Sequence, residues 1–265
     1  MPVKKIGFLK TQKCAGTSVQ NMLLRYARKH DLNIVLPDGK EKGIGNVDFD
    51  YSVQNLNGME VEAKFCRKMI EDTAWEKARL NYHMFVLHTR WNHHEISHIL
   101  NDQGKGDVFY FSIIRDPVML YRSYWDYHGL SKKMDKTLEE FAMTTLISYV
   151  SDDNGEYCLP GYNSMLSDFG MYCHEMIKQD MTRGDAAKGN GYLQRKLDEI
   201  DQTFDLILLA DETHYEDGMV LLKHALCWEF EDIINVKRNV AHMSQRSNIS
   251  EEARMILRGN QSQII

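Results

Sequence analysis

No apolar run in this sequence approaches the length of a membrane span, so a spanning helix is not expected. No C-x-x-C pair occurs, which argues against a zinc knuckle. The Gly-x-x-x-x-Gly-Lys-Ser/Thr spacing of the common triphosphate-binding loop is missing as well. Basic charge is in deficit: 32 Lys and Arg face 38 Asp and Glu, a net charge of −6, so the basic footprint of a nonspecific nucleic-acid binder is absent. With 17 glycines and 4 prolines in 265 residues, the composition is not that of a disordered chain. The first nine residues are too short and too charged for a signal peptide, so the sequence alone predicts a soluble chain without an address.

What is present suffices to fold. The chain is 43% hydrophobic, enough for a sizeable core. Residues 3–9 read as a short buried strand bounded by Lys10, and the small, polar stretch 10–18 reads as a loop. From there Val19, Met22, Leu23 and Tyr26 recur at helical spacing, with Thr17 or Ser18 as the expected cap. Further strands are expected at 33–36, 84–88, 108–114 and 204–210, and helices at 91–100, 117–127, 137–149, 186–200 and 215–228. Strands alternating with helices predict an α/β fold, a mostly parallel sheet flanked by helices. The expectation is one domain over 1–265, with loop-rich insertions near 38–75 and 151–190. The five cysteines are odd in number, so at least one thiol is free or pairs outside the chain. Cys158 and Cys173 are close enough in sequence to close a short loop.

Two constellations carry chemistry. The first is Lys13-Cys14-Ala15-Gly16-Thr17-Ser18, between the first strand and the first helix. Gly16 allows close approach of backbone to a phosphate, Thr17 and Ser18 add hydroxyl donors at a helix N-terminus, and Lys13 supplies a point charge. An ordinary strand-to-helix loop with a capping threonine remains the alternative. The second is Arg115-Asp116-Pro117 with Ser123, after the clearest strand. Arg115 falls at the carboxyl end of that strand, where open α/β sheets bind ligands, and a guanidinium there can grip a phosphate bidentately. The alternative is a surface arginine starting a helix, beside Asp116 at the N-terminus, where a carboxylate is favourable.

Together these segments resemble the carbohydrate sulfotransferases, and most closely the galactose-3-O-sulfotransferase family. The resemblance runs through residues 8–18, 29–37, 109–118 with Ser123 and Tyr127, 204–210 and 221–228, with 163–165 and 168–170 similar to a further family segment. It implies a P-loop-like sulfotransferase fold and 3′-phosphoadenosine 5′-phosphosulfate as co-substrate, with no metal. It further implies a galactose-containing glycolipid or glycan as acceptor, at the 3-hydroxyl. Lys13 would hold the sulfuryl and bridging oxygens, and Cys14 to Ser18 would cradle the 5′-phosphate. Arg115 and Ser123 would hold the 3′-phosphate. Members are longer and carry an N-terminal membrane anchor. The resemblance therefore implies the Golgi lumen, with membrane association only through a segment this chain does not contain.

His88, expected at the end of the strand 84–88, is the candidate base for the acceptor hydroxyl, since a neutral imidazole titrates near working pH. A hydrogen-bonded structural histidine is the competing reading. His94 and His98 share a helical face at zinc spacing, but no metal site is expected there, and most of the local histidines are read as surface residues. Trp91, Trp125, Tyr124 and Tyr127 are read as core before sugar contacts, and Glu229 to Asp232 as a solvated helix start. Two rival functions stay open. One is a nucleotide-dependent kinase or transferase, for which Asp211 is the tempting metal carboxylate; the other is a truncated paralogue that binds nucleotide or glycan without turnover.

Overall fold

The structure, a computed structural model, describes residues 2–35, 82–104, 106–144, 164–171, 190–211, 213–234 and 249–262. Most of the expected insertions at 38–75 and 151–190, and the cysteines 158 and 173, lie outside the described residues.

Among the described residues four parallel strands form one sheet in the order β2-β1-β3-β4: β1 Ile6–Leu9, β2 Met84–Phe85, β3 Phe109–Ile114 and β4 Leu206–Leu209. The α/β reading of the sequence is thus what the chain adopts. β1 is buried along its whole length, as a central parallel strand covered on both faces must be. It pairs with β3 from Ile6↔Phe109 to Leu9↔Ser112, and the register partners Phe8 and Phe111 stack with ring centroids 4.7 Å apart. The chain passes from β1 to β2 on one side and then to β3 on the other, so strand order reverses at β1. The carboxyl edge at such a point is where open α/β sheets bind ligands. Expected strand 33–36 reduces to a single parallel bridge, Ile34 to Met84.

The helices among the described residues, in chain order, are α1 Gly16–Lys29, α2 His93–Ile99, α3 Pro117–His128, α4 Leu130–Met134, α5 Leu138–Thr144, α6 Ser164–Asp168, α7 Asn190–Thr203, α8 Tyr215–Leu226, α9 Phe230–Ile233 and α10 Glu251–Ser262. The chain divides into two compact units, one of residues 1–114, 168–170 and 199–238, the other of 115–167, 171–198 and 239–265. The first holds the sheet. In it α1 buries the predicted face of Val19, Met22, Leu23 and Tyr26, and Tyr26 stacks on Trp228 at 3.5 Å. Asp232, expected in a solvated helix start, is instead buried and paired with Lys29 of α1 at 2.5 Å. The second unit has its own core, with Tyr121 and Trp125 of α3, Leu138 and Phe141 of α5, and Ala253 and Leu257 of α10. Trp125 is fully buried and its Nε1 donates to Ser131 Oγ at 2.7 Å, so its polar atom is satisfied inside that core.

Candidate active site

β1 ends at Leu9 and α1 starts at Gly16, so the loop between them is six residues long. Lys13 and Ala15 both have φ of 58°, in the left-handed region that residues with a Cβ seldom occupy. Two such residues, with one residue between them, curl the backbone in the manner of an anion nest. The cap expected from Thr17 or Ser18 does not form. Ala15 is the N-cap residue, no side chain caps the helix, and its first turn carries no acidic residue. The curled loop starts the helix two to three residues earlier than the sequence pattern suggests, and the positive end of the helix dipole is left for a ligand. Cys14 turns inward: it is buried and its thiol donates to the Gln12 carbonyl at 3.2 Å. Lys13 and Thr17 are partly buried, and Gly16 and Ser18 are buried. A Cβ on Gly16 would lie 2.7 Å from Lys10 Cγ and 3.3 Å from the Thr11 carbonyl oxygen. The glycine is therefore required by the packing of Lys10 and Thr11 against the helix start.

Lys10, read from the sequence only as a strand boundary, is 2% exposed. Its Nζ donates to Gln20 Oε1 at 2.9 Å, and Gln20 Nε2 donates to the Val86 carbonyl at 2.8 Å. This chain of bonds ties the loop and α1 to the segment leading to His88. Burial lowers the Lys10 ammonium to a pKa of about 8, so it remains mostly charged at neutral pH. The sequence did hold a signal: Gln20 sits on the α1 face with Gly16, Leu23 and Ala27, and a polar residue in a buried stripe calls for a partner.

His88 lies three residues beyond β2, which is shorter than predicted because the ladder to β1 covers only Met84 and Phe85. It retains some exposure, but its Nδ1 is enclosed and has no hydrogen-bond partner. Burial first, then the nearby charge of Lys10, hold its pKa down at about 3; a hydrogen bond to the Lys10 backbone opposes this in part, and Lys13 lowers it further. An imidazole titrating near neutral pH is therefore not what the free protein has. His88 is neutral there because its surroundings are apolar and doubly cationic. The structure thus brings Lys10, Lys13 and His88 within electrostatic reach of one another.

In the second unit, Arg115 is the residue that follows β3 and is partly buried, its backbone N–H donating to Met165 Sδ at 3.3 Å. Asp116 caps α3, accepting from the Met119 N–H at 3.0 Å, with Pro117 in the first turn. Ser123 is partly buried on α3, two turns on from Asp116. Trp91 and Trp125 are core residues, whereas Tyr127 is 66% exposed. An open cleft of about 460 Å³, unanticipated from sequence, is lined in this unit by Arg122, Glu139, Ile249, Ser250 and Arg254. Its carboxylate is already engaged: Glu139 accepts from the backbone and hydroxyl of Ser250. Among the described residues, no three His, Cys, Asp or Glu side chains gather as a metal site would require.

The family described as galactose-3-O-sulfotransferase matches residues 1–261. Galactose-3-O-sulfotransferase 2 of Mus musculus is 28% identical over 260 residues, covering 95% of this chain and 57% of that protein. The galactosylceramide sulfotransferases of Bos taurus and Homo sapiens are each 25% identical over 252 residues, covering 95% of this chain and 52% of theirs. The chain thus spans little more than half the length of these relatives.

Proposed function

Because the chain belongs to the galactose-3-O-sulfotransferase family, we propose that it moves a sulfuryl group from 3′-phosphoadenosine 5′-phosphosulfate to a galactose hydroxyl, the 3-hydroxyl, of a glycolipid or glycan. The observation that carries this reading is the β1–α1 loop: left-handed at Lys13 and Ala15, uncapped at its helix start, and electrostatically coupled to a neutral histidine with an enclosed, partnerless nitrogen. These are features that fit an anionic ligand.

The co-substrate supplies an activated sulfuryl group and a phosphate leaving group. What remains for the protein is positioning and charge stabilisation, as in phosphoryl transfer. Lys13 stabilises the oxygens on which charge builds. The backbone from Cys14 to Ser18, with the Thr17 and Ser18 hydroxyls, holds the 5′-phosphate, and Arg115 with Ser123 holds the 3′-phosphate. His88 accepts the proton of the acceptor hydroxyl. Its depressed pKa, set first by burial and then by the Lys10 charge, makes it a weak base in the free protein; an anion at Lys13 offsets the smaller contribution of that lysine. Base strength thus rises in part when the donor is bound, with burial still holding it down.

The phosphoryl-transfer alternative needs Asp211 for a metal ion. That carboxylate accepts from the N–H groups of Thr213 and His214 and pairs with His214 Nδ1 at 2.8 Å, so it serves the turn into α8. By family, the setting is the Golgi lumen. No helix among the described residues is long and apolar enough to cross a membrane.

The test is transfer of ³⁵S-labelled sulfuryl to galactosylceramide and to lactose. The proposal expects a labelled galactoside without added Mg²⁺. Mg²⁺-dependent transfer from ATP would overturn it in favour of a kinase, and nucleotide binding without turnover would identify a non-catalytic paralogue.

A further inference from the structure

We infer that Asp168 is a positioning residue for the proposed transfer, one that holds the anion-binding loop in register with the segment that carries His88. The inference rests on that functional reading and adds a residue to which no role has been attached.

Three contacts converge on the short stretch 168–170. Asp168 Oδ2 accepts from the backbone N–H of Gln12 at 2.7 Å, immediately before the left-handed Lys13. The Asp168 carbonyl accepts from the Trp91 N–H at 2.8 Å, three residues after His88. Gly170 has φ of +77°, and a Cβ there would stand 2.8 Å from the Trp91 carbonyl oxygen, so only glycine fits both the conformation and the space. The stretch is in turn anchored by rings. Phe169 meets Phe204 edge-on at 5.4 Å, and Trp91 packs against Phe204 at 4.8 Å. The Asp168 backbone is therefore fixed relative to Trp91, and the reach of its side chain sets where Gln12 can lie.

The loop needs such a hold. Two left-handed non-glycine residues persist only where the surroundings over-determine them. Thr11 and Lys10 restrain the loop before Gln12, through the Ile113 carbonyl and Gln20. Asp168 restrains the Gln12 N–H, while the Gln12 carbonyl accepts from Cys14 within the loop. Asp168 is 5% exposed, and burial raises its pKa well above the ordinary carboxyl value, the Gln12 N–H and the charge of Arg90 opposing this in part. An uncharged acceptor of the same shape should therefore serve equally well at this position.

The experiment compares wild type, Asp168→Asn and Asp168→Ala for kcat and KM in the labelled transfer assay, for protection of the Gln12 amide from hydrogen exchange, and for the ¹⁵N shift of the His88 ring. Asn keeps the acceptor for Gln12; Ala deletes it. Asp168→Asn is expected within about threefold of wild type in kcat, with the Gln12 amide protected and the His88 shift unchanged. Asp168→Ala is expected to lose about 100-fold in kcat, the scale of a 1 Å misplacement of reacting groups, with the Gln12 amide exposed and the His88 shift moved. Equal, large losses in both variants would overturn the inference, since charge and not acceptor geometry would then matter. So would full activity in the Ala variant. Should Asp168→Ala not fold, Asp168→Asn decides alone: lost activity or an unprotected Gln12 amide refutes the inference. If wild type itself transfers nothing, the functional reading fails separately, and the Gln12 and His88 signals judge the role of Asp168.

Discussion

Protonation of His88 should be resisted by the fold, and the consequence can be worked through. The ring has a pKa of about 3 in the folded chain against a model-peptide value of 6.5. Between those limits the unfolded chain binds the extra proton and the folded one does not, so stability rises with pH across the window. The contribution is fully present above pH 6.5 and is lost as pH falls toward 3. At about 1.4 kcal/mol per pH unit, one such group costs about 2 kcal/mol by pH 5 and at most about 5 kcal/mol by pH 3. Urea unfolding of wild type and His88→Gln at several pH values isolates the term, because the carboxylates common to both cancel in the difference. That difference should shift against wild type by about 2 kcal/mol between pH 7 and pH 5. A flat difference, or an NMR titration of His88 near its ordinary value, would refute the electrostatic argument for this site.

Three further outcomes follow. Lys10→Met removes one of the two cationic charges acting on His88, so the His88 pKa should rise in an NMR titration; an unchanged value would show that the Lys10 charge does not act on the ring. Gly16→Ala forces a methyl to within 2.7 Å of Lys10 Cγ and should cost about 1–3 kcal/mol in denaturant unfolding, with the loop distorted. Lys13→Ala should lower kcat about 10²–10³-fold, as deletion of a charge-stabilising donor does, with a smaller effect on the dissociation constant of adenosine 3′,5′-bisphosphate.

Local chemistry made part of this legible in advance. The strand over 109–114 is aromatic or β-branched at every position but Ser112, and its end at Arg115-Asp116-Pro117 carries a carboxylate favoured at a helix N-terminus and the proline suited to a first helical turn. The apolar spacing of Val19, Met22, Leu23 and Tyr26 located α1 for the same reason. All but one of the misses are products of juxtaposition between residues apart in sequence. Lys10 looks like a strand boundary until Gln20 and Val86 close over it. His88 looks like an ordinary titrating imidazole until burial and two ammonium groups act on it. The helix cap moved to Ala15 because the loop curls left-handed, which no propensity for Thr or Ser reveals. Asp168 drew notice only as part of a family-like segment, since its partner Gln12 is 156 residues away in sequence.

The claim on which the rest depends is that Lys13 and Arg115 act on the two phosphate ends of one nucleotide. Calorimetric titration of wild type and Arg115→Ala with adenosine 3′,5′-bisphosphate and with adenosine 5′-monophosphate tests it most directly. Wild type should prefer the bisphosphate by roughly 10- to 100-fold, the worth of a charge-assisted hydrogen-bonding site, and Arg115→Ala should abolish the preference while leaving affinity for the monophosphate near its wild-type value. Unchanged affinity for the bisphosphate after Arg115→Ala would contradict the account.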